Sequence, residues 1–383
     1  MAITFTTSIP TDKWLFSENN RIVEFSSNYS EPPLYCDITI GSLDAFRIYP
    51  LPSGTFWANL KSRISSLLNQ YADDLDLSTI NPADIDTFVF DWSRVYYNNY
   101  IEFVITFADA ETEQTIVTPY IILGAEQIYN YKRGETVSGL DNIILSPFKN
   151  GNANRFHLRY WDGYPFDFGY TLSKGRTSQT QTIENLTNAI TSPNILFPQT
   201  INRLFISDGD TNESLEDYLP LVEGYNELQL LGETRPIFID LWKMQSDCGV
   251  YLKWINEYGG YNYWLFNRYN QIDKNIRSLG EVNNDFENLE NIVSQTNQLG
   301  KTSNDQWTIV ADGLASDDIN VLKGILTSPK VYLFTGERFT KNNFNDWVEV
   351  SIPATTTNIK QPKITANELR IRIELPQHYN ITL

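Results

Sequence analysis

Apolar residues recur with a period of two in run after run of this chain, and no other feature limits its fold as much. In LYCDITI (34–40), Tyr35, Asp37 and Thr39 fall to one side and Cys36, Ile38 and Ile40 to the other. Successive side chains of a strand point to opposite faces, so this run is a strand with one face in a core. The segment 45–49 follows a Gly41-Ser42 turn and completes a hairpin. A short, mixed strand at 21–25 and further strands at 96–107, 115–123, 156–160, 166–172, 202–206, 227–231 and 236–242 extend the pattern. The composition agrees: 22 Tyr, 21 Phe and 9 Trp against 2 Met suit a pleated, half-buried surface. The expected fold is mainly β, with several β-sandwich-like domains and a few short helices. No short-period repeat runs through the chain, which excludes solenoids and propellers.

The breaks in the pattern suggest how the chain is divided. Pro50, Pro52 and Gly54 interrupt the first sheet. Trp57, Leu60, Ile64, Leu67, Leu68 and Tyr71 then fall three, four and seven apart, which predicts a helix over 57–71 covering the end of a sandwich. An acidic loop (73–86) follows, and a polar turn at 109–113 joins the strands that close an N-terminal β domain, 1–125. A middle β domain, 126–245, carries a Ser/Thr-rich stretch at 173–200 that reads as a loop or extended arm. The remainder, 246–383, reads as an α+β domain. In it 281–305 is polar, Asn-rich and expected to be mobile. Ser316 is placed to cap a helix with Asp317 and Asp318 in its first turn, Ile319, Leu322, Ile325 and Leu326 on its inner face, and Pro329 ending it. Strands at 330–334, 347–352 and 369–375 finish a C-terminal sheet.

Charge and chemistry narrow the function. The formal charge is −18 with no basic run, which speaks against DNA or RNA as a partner. No apolar run approaches a membrane span, and the N-terminus has no basic and apolar leader pattern, so a reducing cytosol is the expected site of synthesis. The glycosylation patterns at Asn28, Asn185, Asn212 and Asn380 then read as chance in an Asn-rich chain. Cys36 and Cys248 can at most form one bridge, which excludes a disulfide-dense scaffold. The only histidines are His157, inside an expected strand, and His378, near the C-terminus, so a His-based metal or acid–base site finds no support. Cys36, in a strand, suits a small buried hydrophobe. Asp208-Gly209-Asp210-Thr211-Asn212 opens like a calcium loop, but Glu213 and Leu219 stand where that loop needs Gly and a bidentate Glu. Among 47 acidic residues a glycosidase pair could hide, because that chemistry needs separation rather than a motif. No catalytic residue, metal or cofactor is expected; the chain reads as one that binds and holds.

The densest local feature is KWINEYGGYNYWLF at 253–266, where aromatic residues flank Gly259-Gly260. Val250, Leu252 and Trp254 alternate before the glycines and Tyr261, Tyr263 and Leu265 after them, so the stretch is a β-hairpin. Its rings can form an exposed platform for a sugar or pack a hairpin and an interface. Trp254, Tyr258, Tyr261 and Trp264 are the candidate residues for interface or hairpin packing.

Two motifs carry a resemblance. Lys253-Trp254-Ile255-Asn256 precedes the Gly-Gly turn, and Ser328-Pro329 ends a helix before Val331 and Tyr332; with the hairpin, YPLPSGTF turn and helix near the N-terminus, this order covers about a third of the chain. It resembles structural proteins of the tail, collar or baseplate region of tailed phages of Bacteroidota, crAss-like phages among them. The resemblance implies a virion protein acting as a cyclic oligomer in a tail, hub or ring. Its partners would be copies of itself and other phage tail or connector proteins. The resemblance also favours packing and interface over sugar stacking for the hairpin rings. The alternative is a receptor- or carbohydrate-binding module at the tail tip. A third reading is a tail-associated glycan hydrolase, which requires two carboxyl groups facing each other in a cleft.

Overall fold

The computed structural model describes residues 3–68, 79–126, 142–149, 152–173, 175–210, 214–230, 235–245, 247–267, 271–283, 296–353, 367–377 and 380. The fold is mainly β, built from several sheets with, among the described residues, two short helices, Lys61–Leu68 and Ser316–Leu322. The chain divides into two units. One holds Met1–Ser246, Ile255–Asn262 and Glu337–Phe344; the other holds Asp247–Trp254, Tyr263–Gly336 and Asn345–Leu383.

The first unit begins with a two-layer sandwich. A three-stranded sheet of Ile3–Thr7, Ile22–Ser27 and Phe56–Asn59 faces a four-stranded sheet ordered Thr112–Val117, Ile101–Phe107, Pro33–Ile40, Phe46–Ile48. Val23, Phe25 and Phe56 from one layer meet Cys36, Ile38, Phe103 and Ile105 from the other in one apolar cluster. The rings of Phe25 and Phe103 sit 5.2 Å apart, edge to face. Such a core is what the alternation of LYCDITI demands, and Cys36, Ile38 and Ile40 do point into it.

The helix expected from Trp57 begins later. Phe56–Asn59 is a strand paired with Ile22–Phe25, and only Lys61–Leu68 is helical. Trp57 and Leu60 satisfy helical spacing, but Phe56 and Ala58 also alternate with Trp57 and Asn59, and burial of the first pair decides for a strand. The helix adds Ile64 and Leu68 to the sandwich core. Residues 71 and 73–78, part of the expected helix and acidic loop, lie outside the described residues.

The rest of this unit contains a four-stranded sheet ordered Ile143–Ile144, Pro165–Thr171, Ile201–Asp208, Val89–Asp91. Residues on both sides of position 125 therefore share one sheet. A six-stranded sheet is ordered Phe148–Lys149, Asn152–Trp161, Ile237–Met244, Gly224–Leu230, Ile183–Asn185, Ile190–Thr191. Every described residue of Pro165–Thr171 and Ile201–Asp208 is buried, so these strands are covered on both faces. The stretch expected as an arm at 173–200 is no free arm in its described part: Ile183, Ile195 and Phe197 are fully buried and anchor short strands. Single apolar anchors suffice to pack a segment whose other residues are Ser, Thr, Asn and Gln.

The second unit holds a sheet ordered Tyr261–Asn267, Gly249–Ile255, Val331–Phe334, Trp347–Val350 and another ordered Gln271–Asn283, Thr296–Leu314, Asn367–Glu374. The segment expected to be mobile at 281–305 is strand in its described part. The cap of helix Ser316–Leu322 is Ala315 rather than Ser316, because the Asp318 carboxylate reaches back to accept from the Ala315 backbone N–H at 2.9 Å.

Candidate functional site

The aromatic hairpin is an interior structure. Trp254, Tyr258, Tyr261 and Trp264 are each at most 3% exposed, so none of these rings offers a face to a sugar. Tyr258 and Tyr261 belong to the first unit, whereas Trp254 and Trp264 belong to the second.

Residues Ile255–Asn262 form a turn held by hydrogen bonds from several directions. The Asn256 N–H donates to the Gly260 carbonyl at 2.8 Å, and its side-chain oxygen accepts from the Tyr258 N–H at 2.7 Å, closing an Asx turn. Its amide nitrogen donates to the Leu145 carbonyl and to Asn262 Oδ1. Trp92 Nε1 donates to the Gly259 carbonyl at 3.0 Å. The two glycines are steric requirements. A Cβ on Gly260 would lie 2.2 Å from the Leu145 carbonyl oxygen; Gly259, at φ +81°, would put one 2.4 Å from that of Leu123. Tyr258 packs between Phe16 and Phe148 with both ring centroids 5.4 Å away.

Beside the turn lies a buried ion pair. Arg203 Nε and Nη2 donate to the two oxygens of Asp167, both at 2.7 Å, and both side chains are essentially inaccessible. The guanidinium also lies over Tyr261 at 4.5 Å, Phe205 at 4.9 Å and Trp92 at 5.0 Å. Delocalised charge is weakly hydrated, so an aromatic box replaces water for Arg at lower cost than it would for Lys. The arrangement is closed to solvent.

In the second unit Tyr251, Tyr263, Phe334 and Trp347 cluster on one sheet face, with Lys253 Nζ 4.0 Å above the Trp347 ring. Trp254 and Trp264 take the opposite face by alternation. Trp254 Nε1 is buried with no hydrogen-bond partner among the described residues.

Two carboxylate clusters among the described residues already have a cation at the centre. Lys243 Nζ lies 2.6 Å from Glu216 and 3.7 Å from Asp162, and burial holds the Glu216 carboxyl above its usual range. Asp240, fully buried, meets Lys149, Arg155 and Tyr225. Burial alone would raise its pKa, but the hydrogen bonds it accepts from Arg155, Lys149 and Tyr225 prevail and lower it. An acid–base pair for glycoside cleavage needs a free carboxyl on each side of a sugar, which neither cluster presents. His157 is buried in a strand opposite Asp240. His378 lies outside the described residues. Burial pushes the Cys36 thiol up to about 12, which leaves it no nucleophilic character at neutral pH. No group of three or more His, Cys, Asp or Glu that could hold a metal occurs among the described residues, and of the calcium-like run Thr211-Asn212-Glu213 is not described.

One exposed element stands apart from all this, and nothing in the alternation pattern marked it. Gln271–Asn283 pairs with Thr296–Leu314 along nearly its whole length, whereas Asn367–Glu374 covers only Gln306 to Leu314 of that partner. Beyond Gln306 the described residues pair as two strands only, a ribbon touched by the Leu375 N–H at the Asp305 carbonyl and by Asn380 at the Ser303 hydroxyl. Directly opposed residues share a face. Trp307 opposes Ile373, Ile309 opposes Ile371 and Ala311 opposes Leu369, which makes this the core face. Ile272 opposes Trp307 where the sheet still has three strands, and Ile276, four residues on, opposes Ser303 on the ribbon, so both lie on this face. Ile272 and Ile276 are 58% and 59% exposed although Ser303 is buried, and Leu279, Val282 and Leu299 are exposed as well.

No family model matches the chain, and no curated protein does. Among solved structures it is similar to fibronectin(III)-like modules of Clostridium thermocellum CbhA, with 8% identity, 64% of this chain and 95% of that one covered, and a TM-score of 0.19. Domains 4–9 of the surface layer protein SbsC match with 7% identity over 98% of this chain and 42% of that one, at a TM-score of 0.19. A carbohydrate-binding module of the β-sandwich superfamily matches with 10% identity over 100% and 93%, at 0.18. At such scores nothing follows for function; the mainly β fold rests on the chain's own strands.

Proposed function

We propose that this chain is a structural subunit that works through protein–protein contacts, with the ribbon of the second unit as its contact element. The observation that carries the reading is the exposure of Ile272 and Ile276 on the sheet's core face, one at the end of its three-stranded part and one on the ribbon. An exposed aliphatic row on a paired ribbon contributes nothing to its own unit. Covering it with another surface removes apolar area from water, at about 25 cal/mol per Å².

The proposed occupant is a second copy of this chain. The two strands, residues 271–283 and 296–307, carry Asp273, Glu281 and Asp305 against Lys274, Arg277 and Lys301, a balance of zero, whereas residues 284–295 between them add Asp285, Glu287 and Glu290. Neutral strands approach an acidic copy with less repulsion than acidic ones would. The setting is the tail, hub or ring of a tailed-phage particle, as the sequence resemblance implies, with other tail or connector proteins as neighbours. A non-catalytic role accords with carboxylate clusters that are already neutralised by Lys and Arg.

The test is the mass in solution by light scattering, for the parent and for an Ile272→Ser/Ile276→Ser variant. The parent should associate in a concentration-dependent way and the variant should remain monomeric with an unchanged melting temperature. A parent that stays monomeric at high concentration, or a variant that associates equally, overturns the reading.

A further inference from the structure

The outer face of the first sandwich presents a second surface with a different chemistry. Thr7, Glu24 and Trp57 are direct cross-strand partners on the three strands Ile3–Thr7, Ile22–Ser27 and Phe56–Asn59. They therefore form one row across the sheet, with strands about 4.8 Å apart and a span of about 10 Å. Val23, Phe25, Phe56 and Ala58 point the other way, into the core. The row faces outward: Trp57 is 52% exposed, Thr7 is exposed and Glu24 is half-buried. Thr4 opposes Ser26 on the same face, next along the strands.

We infer that this face binds a neutral saccharide, with the Trp57 indole as the stacking ring and the Glu24 carboxylate as the acceptor for sugar hydroxyls. Each part of the row fits that ligand. A pyranose has an apolar C–H face and a polar rim, and a half-exposed indole is a rigid apolar plate with a wet edge. A carboxylate one strand away accepts hydroxyl protons in charge-assisted bonds, which are stronger than neutral ones. Glu24 makes no side-chain hydrogen bond among the described residues, so its oxygens are available. Thr7, Thr4 and Ser26 supply hydroxyls that both donate and accept, as a polyhydroxylated ligand requires. Acidic saccharides are disfavoured by Glu24 and by the charge of −18. The face is flat, so affinity is weak and depends on the indole.

The inference goes beyond assembly through the ribbon and stands on a different unit. Its test uses the full chain with cellotetraose, mannotetraose and chitotetraose as separate probes, read by saturation-transfer NMR and by titration. At least one should bind the parent. Trp57→Ala should weaken it by about tenfold or more, and Glu24→Gln should weaken it by a smaller factor, about threefold to tenfold. Both side chains lie outside the core, so melting temperatures should stay within a few degrees of the parent. If Trp57→Ala unfolds, Glu24→Gln alone decides. Failure of all three probes to bind the parent overturns the inference, as does parental affinity in either variant. Tetramethylammonium is titrated alongside: if it binds at Trp57 while the saccharides do not, the row is a cation site and the saccharide inference falls.

Discussion

Arg203 and Asp167 meet through two parallel hydrogen bonds of 2.7 Å inside the first unit, with the arginine 1% exposed and the aspartate not at all. Removing either partner leaves a buried charge without its counter-ion. Arg203→Met should therefore cost about 3–5 kcal/mol, and Asp167→Asn a similar amount. The double variant Arg203→Met/Asp167→Leu should cost much less than the sum, since no orphaned charge remains. Thermal unfolding of the four proteins measures the coupling directly. Strictly additive losses would mean the pair acts as two independent side chains.

Gly54 and Gly259 share a φ of +81°, but their surroundings differ. Nothing lies within 4 Å of a Cβ built on Gly54, whereas one on Gly259 would sit 2.4 Å from the Leu123 carbonyl oxygen. Both alanine variants meet the left-handed backbone penalty of about 1 kcal/mol. Gly259→Ala must also displace backbone, which should bring its total to about 3 kcal/mol or more. Urea unfolding compares them. Equal losses would show that the turn relaxes and that contact with residue 123 does not matter.

The alternating strands were legible because one buried face forces a period of two, as in Cys36, Ile38 and Ile40. Trp57 was misread because its neighbourhood satisfies both periods; the row it forms with Glu24 and Thr7 joins strands distant in sequence, which no local pattern reveals. Arg203 and Asp167 are hidden for the same reason: they are 36 residues apart on neighbouring strands, and their pairing exists only in the sheet register. The ribbon escaped because an element exposed on both faces need not alternate. Its Asn, Gln, Ser and Thr content reads as loop until the register is known. The hairpin at Gly259-Gly260 was plain in sequence, but whether its rings faced in or out depended on packing partners such as Phe16 and Phe148.

Trp254 is fully buried, and its indole N–H has no acceptor among the described residues. Losing that donor should therefore cost nothing in hydrogen bonding. Trp254→Phe should destabilise by about 1 kcal/mol, through lost volume alone, whereas Trp254→Ala should cost about 3–5 kcal/mol. Trp264→Ala, at 3% exposure, belongs with the larger class. Calorimetry on the three variants gives the comparison. A phenylalanine variant as unstable as the alanine one would mean that the indole nitrogen does have a partner.

Asp208 closes the strand Ile201–Asp208 with its side chain fully buried, and only one of its oxygens is bonded, Oδ1 accepting from the Asp210 N–H at 2.9 Å. Burial raises its pKa to about 6, against the partial relief given by the Asp210 N–H and by Lys341. The unfolded value is about 3.9, so between roughly pH 4 and pH 6 the folded chain holds a proton that the unfolded chain has lost. Stability from this group is then full below about pH 4, falls as pH rises through that window, and is flat above it. The whole loss is of order 3 kcal/mol at one pKa unit per 1.36 kcal/mol. Asp208→Asn keeps the acceptor and cannot ionise. It should match the parent near pH 4 and exceed it at pH 8 by about 2 kcal/mol in urea unfolding at fixed salt. A variant whose difference from the parent is the same at both pH values would show that Asp208 titrates normally in the folded chain.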